Sequence, residues 1–178
     1  MLTMAPERFS KVLMLDPVSP LGLQLNPGQI GVLTAMKTDP DVCFAGLASA
    51  APTLFRPETM VAGMMPQFAD ATSQPQRDLF KKIIERTRVL SDGIWFGTPH
   101  NLGLEWDSGA LAKRMPEMTH EHLILFGKMD YWIPREHLDV MAEKLPNAKL
   151  EIFPYVGHSM NLEQPLLFAR VFGDHFRN

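Results

Sequence analysis

Three short apolar runs, each closed by turn residues, stand out along the chain. Lys11-Val-Leu-Met-Leu15 ends at Asp16-Pro17, His122-Leu-Ile-Leu-Phe-Gly127 ends on its glycine, and Lys149-Leu-Glu-Ile-Phe-Pro154 ends on its proline. Runs of this length with flanking Gly or Pro predict buried parallel strands rather than helix turns. Between the second and third runs, Pro134 to Leu145 predicts a helix. Its proline suits a first turn, and Leu138, Met141, Ala142 and Leu145 recur at i, i+3, i+4 and i+7. Leu162 to Phe176 predicts another helix, with Leu166, Ala169, Val171, Phe172 and Phe176 on its apolar face. Strand, helix, strand, helix predicts a parallel βαβα unit of an α/β protein from about Met118 onward.

The stretch from Val18 to Glu117 has a different pattern. Pro20, Pro27, Pro40, Pro52, Pro57, Pro66, Pro75, Pro99 and Pro116 punctuate it, and it shows little strand alternation. Asp39-Pro40 and Arg56-Pro57 read as helix starts. Pro75 to Leu90 predicts the clearest helix here, with Leu79, Phe80, Ile83, Ile84 and Leu90 opposite Arg77, Lys81, Lys82, Glu85 and Arg88. The expectation is a set of short helices packed as a lid, or an ordinary helical subdomain without that role.

Composition narrows the function classes. A net charge of −3 and a pI near 6.1 give no electrostatic reason to expect nucleic acid or an anionic membrane as partner. The apolar stretches are too short for a membrane span, and Met1 to Lys11 lacks the apolar core of a signal peptide. A single cysteine, Cys43, allows no internal disulfide and suits a reducing, cytoplasmic setting. No G-x-x-x-x-G-K-[ST], G-x-G-x-x-G, C-x-x-C or H-E-x-x-H occurs, so neither a nucleotide cofactor nor catalytic zinc is expected. His120 and His122 invite a metal reading but fit better as a solvated loop residue and a strand-edge residue.

The sharper chemistry lies in Asp130 and His158. Asp130 follows Gly127 by three residues, and His158 follows the next predicted strand in Tyr155-Val156-Gly157-His158-Ser159. Loops at the carboxyl ends of neighbouring parallel strands lie side by side and are where α/β sheets place their sites. A carboxylate there can accept the imidazole N–H, fix its tautomer and stabilise the imidazolium.

These residues carry a family resemblance. Leu123 to Pro134, reading L-x-x-x-G-x-x-D-x-x-x-P, and Gly157-His158 followed by Glu163-Gln164-Pro165 resemble the last strands and helices of an α/β-hydrolase. Ala5 to Pro17 resembles the end of the helix after the nucleophile and the strand that follows it. The resemblance implies Asp130 as triad acid, His158 as triad base, and a helical cap inserted over residues 18–117, between core segments 1–17 and 118–178. It implies no cofactor. The departure is equally specific, because no G-x-S-x-G nucleophile elbow occurs. Ser159, next to the base, and Cys43, within an expected helix, are poor substitutes. The nucleophile and oxyanion loop are therefore expected outside this sequence, on the order of a hundred residues of preceding strands and connections. Sheet faces and one edge would then be exposed, to be completed by a companion segment or a second copy.

Met60, Met64, Met65, Phe68, Trp95, Phe96 and Trp106 of the expected cap, with Trp132, could line an apolar pocket or form the cap's own core. The expected activity is hydrolysis of a small apolar acyl compound in the esterase or thioesterase manner. The alternatives are an inactive hydrolase-like module that binds a ligand or partner, or a processing product without function alone.

Overall fold

The computed structural model describes residues 1–177. Three parallel strands, β1 (Lys11–Leu15), β2 (Glu121–Gly127) and β3 (Ala148–Phe153), form one sheet in the order β1-β2-β3. Leu13 pairs with Leu123 and Ile124 with Leu150, so the three apolar runs sit in register. β2 is central and buried from His122 to Gly127, which is why it reads as an unbroken apolar run.

Helices cover both faces of the sheet. α5 (Arg135–Lys144) connects β2 to β3 and buries Leu138 and Met141 against Ile124, Phe126 and Met115. On the opposite face, Leu167, Phe168 and Val171 of α7 (Pro165–Arg177) pack against Leu123, Leu125, Val156 and Met160. The faces are thus less bare than expected, although Leu166, Phe172 and Phe176 of α7 stay exposed and β1 is only half-buried. The helix expected from Leu162 divides in two. A short turn, α6 (Met160–Glu163), precedes Pro165, whose ring cannot continue a hydrogen-bonded helix.

Residues 18–117 contribute no strand to this sheet among the described residues. They form α1 (Pro27–Thr38), α2 (Pro40–Ala50), α3 (Gln74–Arg88) and α4 (Thr98–Ser108), with short helical turns between them. The starts are chemically marked. Asn26 and Gln29 form a reciprocal capping box for α1, Asp39 caps α2, and Ser73 with Gln76 caps α3. The helix start expected at Arg56-Pro57 yields only a single tight turn, Pro57–Thr59. The cause is local: Arg56 N–H donates to Gln67 O at 2.8 Å, and Phe55 and Phe68 form an isolated antiparallel bridge. α3 buries Phe80, whereas Leu79 and Leu90, expected on its apolar face, are exposed. Phe44, Phe55, Phe68 and Phe80 form an aromatic cluster at the centre of this segment, with Phe55 and Phe68 stacked at 4.7 Å. No helix among the described residues is long and apolar enough to cross a membrane.

Candidate active site

The site is assembled from loops at the carboxyl ends of all three strands. After β2 the chain turns sharply, with Asp130 N–H donating to Gly127 O at 2.9 Å. Asp130 Oδ1 then accepts the backbone N–H groups of Trp132 (2.6 Å) and Ile133 (3.2 Å). Those bonds leave Oδ2 to face the loop after β3, where it meets His158 Nδ1 at 2.9 Å. The Asp130 side chain is fully buried and that of His158 partly open. With Nδ1 committed to the carboxylate, Nε2 is the nitrogen left to take a proton from an incoming group.

Glycine is required where the two loops meet. A Cβ on Gly127 would lie 2.1 Å from Gly157 O, a backbone clash that no rotamer relieves. Gly157 in turn packs on Pro52, 2.3 Å from where its own Cβ would sit. Glu163 locks this contact from beneath. Its Oε2 accepts Gly157 N–H at 2.7 Å, and its Oε1 accepts Thr53 N–H and Oγ1–H at 3.0 and 2.8 Å. The Glu163 carboxyl is raised by burial, against the opposing pull of these donors.

A third carboxyl belongs to the same cluster. Asp16, directly after β1, is buried and takes a left-handed backbone with φ of +39°. Its Oδ1 accepts Gly127 N–H at 2.9 Å. Burial pushes this carboxyl up to about 7; the Gly127 N–H and His158 oppose the rise, and the adjacent Asp130 adds to it. For His158, burial pulls the imidazole down, but the hydrogen bond and charge of Asp130, reinforced by Asp16 and Glu163, bring it above the ordinary histidine value.

His158 opens onto a cavity of about 820 Å³. Its walls are mainly apolar, with Leu25, Val32, Leu33 and Met36 from α1 and its approach, Leu102 from α4, and Trp132 beside His158. Trp132 stacks on the imidazole at 5.5 Å and 23°, and its Nε1–H donates to Ser49 Oγ of α2 at 2.9 Å. One aromatic ring thus braces His158 and ties it to residues 18–117.

No family model matches the sequence. Comparison of the backbone with solved structures is informative. The chain resembles an esterase from Exiguobacterium antarcticum at a TM-score of 0.64 and 20% identity, over 95% of this chain and 57% of that one. It resembles the 2-hydroxy-6-oxo-6-phenylhexa-2,4-dienoate hydrolase of Rhodococcus sp. strain RHA1 at 0.60 and 18%, over 99% and 58%. An N-acyl homoserine lactone degrading enzyme matches at 0.60 and 18%, over 97% and 60%. The chain has the fold of the C-terminal portion of an α/β-hydrolase. It spans between 57% and 60% of the length of these three relatives.

Within this hydrolase fold, Asp130, His158 and Trp132 come together, as their strand-end positions suggest. The other residues singled out for the pocket do not join them. Trp95 and Phe96 line a neighbouring pocket of about 300 Å³, which shares Leu25, Leu33 and Pro99 with the larger cavity. Phe68 is taken up by the aromatic cluster, and Met64 is half-exposed in the loop before it. Trp106 stacks on His137 and does not line the cavity at His158. His120 is buried rather than solvated, His122 is buried within the central strand, and among the described residues no group of three or more His, Cys, Asp or Glu could hold a metal ion. Asp16 and the α1 wall of the cavity escaped sequence reasoning. The signals present were an Asp ending an apolar run and the Asn26…Gln29 capping pair.

Proposed function

We propose that the chain supplies the base, the orienting acid and the substrate cap of an α/β-hydrolase-type enzyme acting on small apolar acyl compounds. One observation carries this reading: a buried carboxylate holds an accessible imidazole by Nδ1 at 2.9 Å, at the mouth of a mainly apolar cavity. Asp130 fixes the tautomer and stabilises the imidazolium that forms when Nε2 accepts a proton. A nucleophile, serine in this reading, comes from sequence outside the chain. It would lie within hydrogen-bond reach of Nε2, and its attack on the acyl carbon would be assisted by His158 as base, then as acid toward the leaving group. Residues 18–117 act as the lid that excludes water and selects apolar acyl groups. The names of the structural relatives, an esterase and a lactone-degrading enzyme among them, favour acyl–oxygen cleavage.

In this reading the segment that completes the sheet pairs along β1, one of its two edge strands. Either a companion segment or a second copy would answer, in a reducing cytoplasmic setting. A native mass of 20 kDa with a cooperative melt would overturn the need for one. The activity is tested by His158→Ala in the completed enzyme. The expected result is a loss of at least about 10³-fold in kcat/KM on nitrophenyl esters. Unchanged turnover would remove His158 as base and favour a module that only binds.

A further inference from the structure

We propose that Trp132 is a positioning residue for His158: its indole sets the plane of the imidazole, and Ser49 of α2 sets the indole, so that residues 18–117 govern where Nε2 points. This rests on the reading of His158 as the proton acceptor and gives the lid a second task besides excluding water. Three separate parts of Trp132 are engaged. Its backbone N–H donates to Asp130 Oδ1 at 2.6 Å, its ring lies on the His158 imidazole at 5.5 Å and 23°, and its Nε1–H donates to Ser49 Oγ at 2.9 Å. One residue therefore touches the carboxylate, the imidazole and the lid, although it is 37% exposed and stands in a cavity wall rather than in a core.

The imidazole needs this contact. Its bond to Asp130, Nδ1 to Oδ2 at 2.9 Å, fixes one nitrogen but leaves the ring free to tilt about that line. The χ2 well of histidine is broad, so rotamer preference does not hold the tilt either. A tilt swings Nε2, and a small misplacement of a reacting group is costly. The lid has another tie to this loop, Glu163 between Thr53 and Gly157, but it holds the backbone before His158 and not the ring. The indole face is what opposes the tilt, and it also favours the imidazolium, as aromatic faces favour cations.

Ser49 is suited to hold the indole. Its Oγ–H donates to Gly46 O at 2.6 Å, one turn back in α2, which leaves its lone pairs to the indole N–H. Gly46 in turn lies against α1, for a Cβ there would come within 2.6 Å of the Met36 side chain. Met36, Gly46, Ser49, Trp132 and His158 all line the same cavity. The contents of the cavity and the plane of the imidazole are thereby joined through one chain of contacts.

Tryptophan fluorescence tests this, because an imidazolium in ring contact quenches indole emission and a neutral imidazole does so far less. Trp106 also stacks on a histidine, His137, so the measurement uses the 178-residue chain carrying Trp106→Phe, in whatever assembly it is isolated. Between about pH 5 and about pH 9 its emission should rise as His158 loses its proton, and His158→Gln should abolish that step. The charged groups acting on His158 are Asp130 after β2, Asp16 after β1 and Glu163 of α6, and the Ser49 variants keep all three. Ser49→Ala should cut the step by about half or more, the effect of losing one hydrogen bond on a ring with two positions. Alanine also favours the helix, so α2 is retained. Ser49→Thr should restore the step, since a threonine hydroxyl can bond the same carbonyl of the preceding turn. A missing step, a step that survives His158→Gln, or a step indifferent to Ser49→Ala in a protein of unchanged circular dichroism would each overturn the proposal. None of these readouts needs turnover. A step that follows Ser49 in a completed protein without hydrolase activity would uphold the coupling and overturn the hydrolase reading alone.

Discussion

The two ends of the three-stranded sheet bury ionisable side chains in opposite ways. At the carboxyl ends of the strands, Asp16, Asp130 and Glu163 collect backbone N–H groups from Gly127, Trp132, Ile133, Gly157 and Thr53, and surround His158. At the amino ends, histidines bond carbonyls instead: His122 Nδ1 lies 2.7 Å from His120 O, and His120 Nε2 lies 2.9 Å from Pro6 O. There His120 Nδ1, His122 Nε2 and His175 Nε2 are buried without partners. The first end couples titratable groups to one another across three strands. The second spaces them along backbone acceptors, with Glu121 facing His175 at 3.5 Å.

The contrast can be broken by pH. Asp16 has a folded-state value of about 7 against an ordinary 3.8, so the folded state keeps a proton that the unfolded state has released. Its contribution to stability is complete below about 3.8 and is lost as pH rises toward 7, by on the order of 4 kcal/mol. Asp16→Asn should therefore flatten the fall in denaturant midpoint between pH 4 and 8 and stabilise the protein at pH 8. A residual slope of the same sign remains from Glu163, which burial also raises. An unchanged slope would show that Asp16 is not buried as a proton-holding group.

Gly127→Ala attacks the same end through packing, without removing a titratable group. A Cβ would press on Gly157 O and Val156 O, backbone atoms that can move only by separating the two loops. The expected loss is about 3 kcal/mol, read from urea unfolding, with the His158–Asp130 bond disrupted in the imidazole N–H spectrum. A loss under about 0.5 kcal/mol, the range of an ordinary surface change, would show that the loops can part freely.

The amino end should respond least, and with the opposite sign. Burial pulls His122 below its ordinary 6.5, although its bond to His120 O favours the cation. The unfolded chain then takes the proton first, so the contribution of His122 is present above about 6.5 and is lost as pH falls below it. His122→Asn keeps an N–H donor for His120 O and cannot titrate. Its unfolding midpoint should vary less between pH 7 and 5 than that of the wild type. An equal or steeper fall would move the acid sensitivity to other groups.

Much of this fold is legible from residue order, for identifiable reasons. A central parallel strand is covered on both faces, so β2 must be apolar at successive positions, and its glycine marks where two loops touch. Asp130 and His158 are legible because register alone brings neighbouring strand ends together. α1 is much less legible: Ile30 and Val32 are exposed, and only Met36 is buried, so its apolar pattern is weak. Phe68 and Met64 look like pocket residues by type. The Phe55–Phe68 bridge turns Phe68 into the aromatic cluster and leaves Met64 in an exposed loop. Asp16 reads as a turn former because Asp-Pro ends many strands. Only the packing of β1 beside β2 sets its carboxyl on the Gly127 N–H.

Local chemistry along the chain therefore determined the strands, most helix starts and the Asp130–His158 pairing, since each depends on spacing within one element or on adjacent strand ends. Tertiary structure alone decided the wall of the cavity, the bracing of Trp132 by Ser49 and the place of Asp16. Each of these depends on contacts between residues far apart in sequence, and side-chain type does not reveal which distant surface will cover it.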